Sequence, residues 1–410
     1  MLLLLCTVIV VGLGYVMLHL NAGPPKLFGV YAQKGTFHLF KKLIFTAIVT
    51  LRRARGGVTS ITAEGARGRP SFAQMEKPQP LSTHPKVGDS LLQYCYDTNA
   101  MLYFKHPSVG LLQLPRMPDT LLFGDRDRWQ AEGLSIHPLV PMGTWAISYE
   151  GPMRVYKDED DEDQATGEIV DVRIEVEWSA NFDHFDFDSD LDVGAMARAM
   201  AKEKWSREYF NNLRDAHQTH YEQMGALKGT AMVAGTTYSV ELESMRDHSY
   251  GHRREWRLLH RYALHMLHLQ DGTQLNVGIV SQPVSCSNLE LGYVCHVGSR
   301  RPTPVSEVGF QLWNFGERGS PPDDYAFSFV AGGRRHVLEV QGVEGAGGAP
   351  VFFMGWQWEA RIVEKFVRVK LDGVPGWGVV EFQYNQGPGD HRPPTLAGGD
   401  PTWTLQLNKG

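Results

Sequence analysis

Residues 220–256, HYEQMGALKGTAMVAGTTYSVELESMRDHSYGHRREW, read as a strand, a turn, a second strand and a polar knot closed by an aromatic. Tyr238, Val240 and Leu242 alternate with Ser239, Glu241 and Glu243, the period of two that a strand shows when one face is buried. Gly225, Gly229 and Gly235 stand where a chain turns tightly or passes close to another backbone. The knot, Arg246-Asp247-His248-Ser249-Tyr250-Gly251-His252-Arg253, gathers an acid, two imidazoles, a phenol and two guanidiniums. Chemistry, if there is any, is expected there.

Downstream of the knot the chain is a run of short strands separated by Gly, Pro and Asp, which reads as a barrel or sandwich. Within 262–270, YALHMLHLQ, His265 and His268 alternate with apolar neighbours and have no companion carboxylate, so both are expected as wall residues rather than metal ligands. Upstream, 143–149 (GTWAISY) and 170–178 (VDVRIEVEW) alternate clearly, and 158–163 (DEDDED) is expected as a solvated loop tip. In 181–192, NFDHFDFDSDLD, acids fall at alternate positions, but the Gly and Glu of a calcium-binding loop are missing. The simpler expectation is an extended segment packing Phe182, Phe185 and Phe187. Residues 196–216 form one expected helix, with Asp192 as N-cap and Trp205, Tyr209 and Leu213 as an apolar stripe bracing a barrel. No metal site is expected.

The chain opens on MLLLLCTVIVVGLGYVMLHL, residues 1–20 without a formal charge, long enough to cross a bilayer as a helix. No basic residue precedes this segment, and Lys26, Lys34, Lys41, Lys42, Arg52, Arg53 and Arg55 follow it. An uncleaved anchor with the body in the cytosol is therefore expected, the endoplasmic reticulum being the favoured organelle. Residues 37–51, FHLFKKLIFTAIVTL, suit a helix lying in the membrane interface, with a helix docked on the body as the competing reading. From 52 to 85 the Gly, Arg, Pro, Ser and Thr content points to a flexible tether.

Length supports about two domains. The expected division is an anchor at 1–22, a basic interfacial helix and tether at 23–88, a first unit with the helical insertion at 89–218, and a second unit at 219–410. Aromatic content is 11% with ten Trp, which suits barrels that fill their interiors with large side chains. The net charge of −6 hides a basic arm before an acidic body, and Lys and Arg are not interleaved with aromatics as a nucleic-acid groove requires. No nucleic-acid partner is expected. Cys6, Cys95, Cys286 and Cys295 form no metal-ligand spacing; reduced buried thiols are expected, with a pairing of Cys286 and Cys295 across a hairpin as the alternative. Nucleotide-binding and hydrolase motifs are absent, and no cofactor is expected.

The pattern GxxxGxxxVxGxxY followed by MRDHSYGHRxW, over the 37 residues quoted first, resembles the second half of the hydroxyneurosporene synthase (carotenoid hydratase) and AttH-like superfamily. The resemblance implies a mainly β fold: two consecutive lipocalin-like antiparallel β-barrels, here with an N-terminal membrane helix and one helical insertion. It also implies a hydrophobic ligand, isoprenoid or fatty, as partner. Hydrating or cyclising an alkene needs an acid to protonate carbon and aromatic faces to hold the cation. Asp247 matches the acid, with His248 orienting it or relaying the proton and Tyr250 at the cation. Arg246, His252, Arg253, Trp256 and Tyr238 would line the ligand. A guanidinium beside Asp247 would lower its pKa, so Arg246 or Arg253 must point elsewhere. Three functions stand open: ligand binding, a hydratase or cyclase, and an interaction scaffold. In a competing reading Arg246, Asp247, His248 and Arg253 form only a hydrogen-bonded network at a strand bend.

Overall fold

The computed structural model describes residues 11–12, 14–16, 18–54, 71–77, 88–91, 95–96, 99–100, 102–115, 123–125, 128–155, 167–216, 218–251, 256–343, 350–354 and 359–386. Two antiparallel sheets dominate. Among the described residues the first has 13 strands, its centre being β1 (Leu134–Val140), β2 (Thr144–Val155), β3 (Ile169–Ala180), β4 (Thr219–Val233) and β5 (Thr236–Gly251), paired in that order. The hairpin that opens the sequence reading was expected to begin the second unit. Its strands pair instead into the first sheet, with Trp178 opposite Leu227 and Leu227 opposite Leu242. The reason is in β3, whose Val170, Val172, Ile174 and Trp178 are buried and need the apolar face of β4 beside them.

The second sheet consists of β6 (Arg261–Leu269), β7 (Gln274–Gln282), β8 (Cys286–Cys295), β9 (Thr303–Val308), β10 (Asp324–Ala331), β11 (Arg334–Gly342), β12 (Ala360–Leu371) and β13 (Val374–Asn385), with Val351–Met354 added at β12. Leu338 opposite Leu371 and Val340 opposite Val369 join β11 to β12, so these eight strands close into a barrel. Its interior is filled by Leu275, Val277, Phe327, Phe329, Leu338 and Phe382, among others. His265 sits inside with them, its Nε2 2.8 Å from the Tyr325 hydroxyl. Burial pushes its pKa down to about 4, so the imidazole there is neutral. His268 falls on the outer face of the same strand, so both are wall residues.

Two complete barrels were expected; the second is closed and the first is a half-barrel. The open side of the first sheet is covered by the outer wall of the second barrel, where Tyr262, Ala360 and Ile362 join one apolar cluster with Trp129, Trp145, Ile174 and Trp178. A half-barrel leaves apolar positions facing outward, and a neighbouring wall of apolar residues removes them from water.

After α1 (His38–Ala54) and α2 (Phe72–Met75), the expected single helix at 196–216 is two helices, α3 (Val193–Lys202) and α4 (Arg207–Asp215). Asp192 caps α3 as expected, its Oδ1 accepting from the Ala195 amide at 2.7 Å, and Ser206 caps α4 afresh. The acids of 181–192 serve the backbone: Asp186 accepts from the amides of Asp188 and Ser189, and Asp190 accepts from Asp186. Phe182 and Phe185 are buried, as the alternation implied. Cys286 and Cys295 are free, buried thiols at opposite ends of β8 rather than across a hairpin.

The interfacial segment forms a helix, His38–Ala54, one face of which docks on α3 through Phe45 and Val49. Lys41 is buried against the body, with its ammonium donating to the Glu203 carbonyl and to Asn21. The opposite face leaves Leu39, Phe40, Leu43 and Leu51 exposed. Most of the expected anchor lies outside the described residues, and among those described no helix is long and apolar enough to cross a membrane. The acidic loop tip at 158–163 is also outside them. The expected tether at 52–85 contains an ordered piece. Ser71 opens a short helix, Phe72–Met75, through a capping box with Gln74, and this delivers Glu76 into the first sheet.

Candidate functional site

The pleat divides the polar knot. Alternate residues of β5 point to opposite faces, and the register places Arg246 opposite Gln223, His248 opposite Tyr221 and Asp247 opposite Glu222. Arg246, His248 and Tyr250 therefore share the inner face with Tyr238, Val240 and Leu242, while Asp247 stands on the other side. His252 and Arg253 lie outside the described residues. Trp256 is buried in the core between the sheets. Tyr238 is partly exposed on the inner face, edge-on to His106.

On the inner face the Arg246 guanidinium lies over the rings of Trp145, Trp178 and Tyr221, at 5.1, 5.1 and 5.6 Å. Its Nη1 donates to Glu76 Oε1 at 2.9 Å, and Nε and Nη2 both reach Gln223 Oε1. Glu76 Oε1 also accepts from the Tyr221 hydroxyl at 2.7 Å, and Oε2 accepts from Trp145 Nε1 and the Met142 amide. The Tyr221 hydroxyl carries one proton. With that proton on Glu76, the His248 Nδ1 at 2.7 Å must be the donor to the Tyr221 oxygen. Burial first, and the Glu76 charge second, push the Tyr221 phenol well above its ordinary value. Every polar atom of the ion pair has a partner, which makes this a closing network at one end of the half-barrel. Gly225 makes room for it: a Cβ there would lie 2.4 Å from Trp178 Cζ2.

On the other face Asp247 stands beside Glu222, and His220 Nε2 is 3.4 Å from Glu222 and 3.8 Å from Asp247. Glu222 Oε2 accepts from Asn276 of the second barrel at 2.7 Å. Burial pushes the Glu222 carboxyl up to about 8; Asp247 adds to the rise, and hydrogen bonds from Asn276 and Tyr293 oppose it. The two faces therefore divide between two jobs: Arg246 seals the first sheet, and Glu222, beside Asp247, joins it to the second.

The inner face and the second barrel's outer wall enclose a hollow of about 480 Å³. The first sheet contributes Ile136, Ile147, Ile174, Val176, Leu227, Val240 and Leu242; the barrel wall contributes Met266, His268, Glu364, Phe366 and Trp377. Leu242 and Trp377 are 50% and 45% exposed, so the hollow opens at their end. Lys105 lines it too, its ammonium 4.3 Å from the Phe366 ring centre. Burial holds His268 neutral, with its pKa down to about 4, and its Nδ1 has no hydrogen-bond partner among the described residues. Glu364 is buried, and the register sets it opposite Glu381, which accepts from the Tyr262 hydroxyl at 2.6 Å.

None of the described residues expected at a ligand, Asp247, His248, Tyr250, Arg246, Trp256 and Tyr238, is among those lining the hollow; from the same strand it is Val240 and Leu242, read in the sequence only as its buried alternation, that line it. The second-barrel lining was missed. One signal was available: 360–371 and 374–385 carry apolar residues on both strand faces, the mark of a wall covered on both sides.

The chain belongs to the Family of unknown function (DUF8627), whose model matches residues 4–384. No curated protein matches it. Among solved structures, an AttH protein of Nitrosomonas europaea is similar at 8% identity, covering 78% of this chain and 98% of its own, with a TM-score of 0.47. CghA is similar at 10% identity over 81% of this chain and 97% of its own, with a TM-score of 0.39. Kievitone hydratase from Nectria haematococca is similar at 10% identity over 76% of this chain and 92% of its own, with a TM-score of 0.34. Likeness of this degree carries no statement about activity.

Proposed function

We propose that this member of a family without an assigned function binds a hydrophobic small molecule, lipid- or isoprenoid-like, in the hollow between the half-barrel and the barrel wall. The observation that carries the reading is a cavity of about 480 Å³, mostly apolar, with Leu242 and Trp377 half-exposed at its opening. That volume is in the range of small-molecule sites. Covering apolar surface there is worth roughly 25 cal/mol per Å². An interaction scaffold with filled interiors would leave no such space. Native mass spectrometry of the intact chain is expected to show a bound apolar mass, lost in Leu227→Trp without loss of folding. Recovery of the chain free of any such mass, with no uptake of Nile red, would leave the scaffold.

A second reading, hydration or cyclisation of an alkene, is favoured by the carboxyl that faces the hollow. Glu364 would give a proton to the alkene carbon, water would add to the cation, and the water's extra proton would return to the carboxylate. The Asp247 of the sequence reading projects from the opposite face of β5 and is not among the residues lining the hollow. Loss of product in Glu364→Gln with binding kept supports this reading, and the same result in Asp247→Asn alone moves the acid to Asp247.

We also propose that the body sits at a membrane, facing the cytosol, through residues 1–20 and the exposed apolar face of the helix His38–Ala54. Support comes from the uncharged leading segment and from Leu39, Phe40, Leu43 and Leu51 in water. Flotation with liposomes tests it: a full chain that stays at the bottom of the gradient removes the anchor.

A further inference from the structure

Beyond the opening of the hollow lies a second, more polar recess of about 660 Å³, and Trp377 lines both. One row across the outer wall connects them. The register places His268 opposite Trp377, Trp377 opposite Arg368, Arg368 opposite Gln341, and Gln341 opposite Asp324. Directly opposed residues of antiparallel strands share a face, so all five side chains project from the same side. Along β12 that face runs Ile362, Glu364, Phe366, Arg368, Lys370, passing from the apolar hollow into the polar recess.

Arg368 is exposed, and no hydrogen bond or ion pair ties it to another described residue. Its cross-strand neighbours, Trp377 and Gln341, are uncharged. Lys370 differs, because Glu339 stands directly opposite and offsets its charge. Asp324 is two strands from Arg368 with Gln341 between, a separation of about 10 Å. A guanidinium with no carboxylate directly opposite it, between an indole and an amide, presents forked donors suited to a carboxylate or phosphate.

We infer that the ligand is an amphiphile with an anionic headgroup: its chain lies in the hollow and its head on Arg368, beside Gln341 and Trp377. This inference rests on the binding function proposed above and adds the chemical class of the ligand. One strand spacing separates Arg368 from Trp377 at the opening, so head and chain can be held together.

The test compares palmitate, palmityl phosphate and palmityl alcohol on the full chain in detergent micelles, by displacement of Nile red. At least one of the two acids is expected to bind ten-fold or more tightly than the alcohol, and the tighter one names the head. Arg368→Gln is expected to abolish that preference while leaving alcohol binding unchanged; Arg173→Gln, a remote exposed arginine, is expected to keep it. Equal binding of acids and alcohol, or an undiminished preference in Arg368→Gln, overturns the headgroup assignment and leaves the hollow as a binding site. Failure of all three to displace Nile red, or no Nile red uptake, removes the hollow as well. Unchanged thermal melting of Arg368→Gln excludes unfolding as the cause.

Discussion

Arg246 and Glu76 meet at 2.9 Å across 170 residues of sequence, sealed from water at one end of the half-barrel. The acid comes from a segment outside both sheets, and the base comes from the central polar knot. Removing one member of a buried pair leaves the other charged and unmatched, at a cost of about 3–5 kcal/mol. Glu76→Ala should lower unfolding free energy by that order in urea titrations, and the double variant Glu76→Ala/Arg246→Met should recover much of it. A loss within about 0.5 kcal/mol, the range of an ordinary surface change, would refute the role given to the pair.

Glu222 makes stability depend on pH in the unusual direction for an acid. Its folded pKa is raised to about 8 from an unfolded value of 4.5, chiefly by burial. Between those values the folded chain holds a proton that the unfolded chain has released. The contribution is therefore fully present below pH 4.5 and is lost as pH rises through about 8. Glu222→Gln, which cannot ionise, should flatten the fall in melting temperature over that window; an unchanged slope would assign it to another group.

Gly225 should tolerate no side chain. A Cβ would lie 2.4 Å from Trp178 Cζ2 and 2.3 Å from the Ser179 carbonyl oxygen. Gly225→Ala should cost about 1–3 kcal/mol through displacement of Trp178 from its place over Arg246. Chemical denaturation and near-ultraviolet circular dichroism would show both effects, and a neutral substitution would mean that the ring has room to move.

Trp377 should matter to ligand and little to folding. It is 45% exposed at the opening of the hollow. Trp377→Ala should shift unfolding by about 0.5 kcal/mol or less, as surface changes do. It should weaken uptake of an apolar probe by about ten-fold, since an indole at a site's mouth covers much of the bound surface. Equal uptake by both proteins would place the ligand elsewhere.

Much of this could be read before any coordinates. Alternation at Tyr238, Val240 and Leu242 names the inner face of β5, and carrying the same period on to Arg246 and His248 separates them from Asp247. The spacing Ser71-x-x-Gln74 is a capping box in plain view within a stretch that composition alone assigns to a tether. His265 and His268 were legible as wall residues, though not which faces the barrel interior.

The chain by itself determined strands, turns, the Asp192 cap and the alternation of faces along each strand, because these follow from neighbours a few residues apart. Only the tertiary structure decided that the 219–251 hairpin joins the first sheet, that Glu76 neutralises Arg246, and that the second barrel's wall completes the hollow. Those are pairings between segments tens to hundreds of residues apart. Each depends on which apolar surface remains uncovered once the local elements have formed, and local periodicity carries no record of that choice.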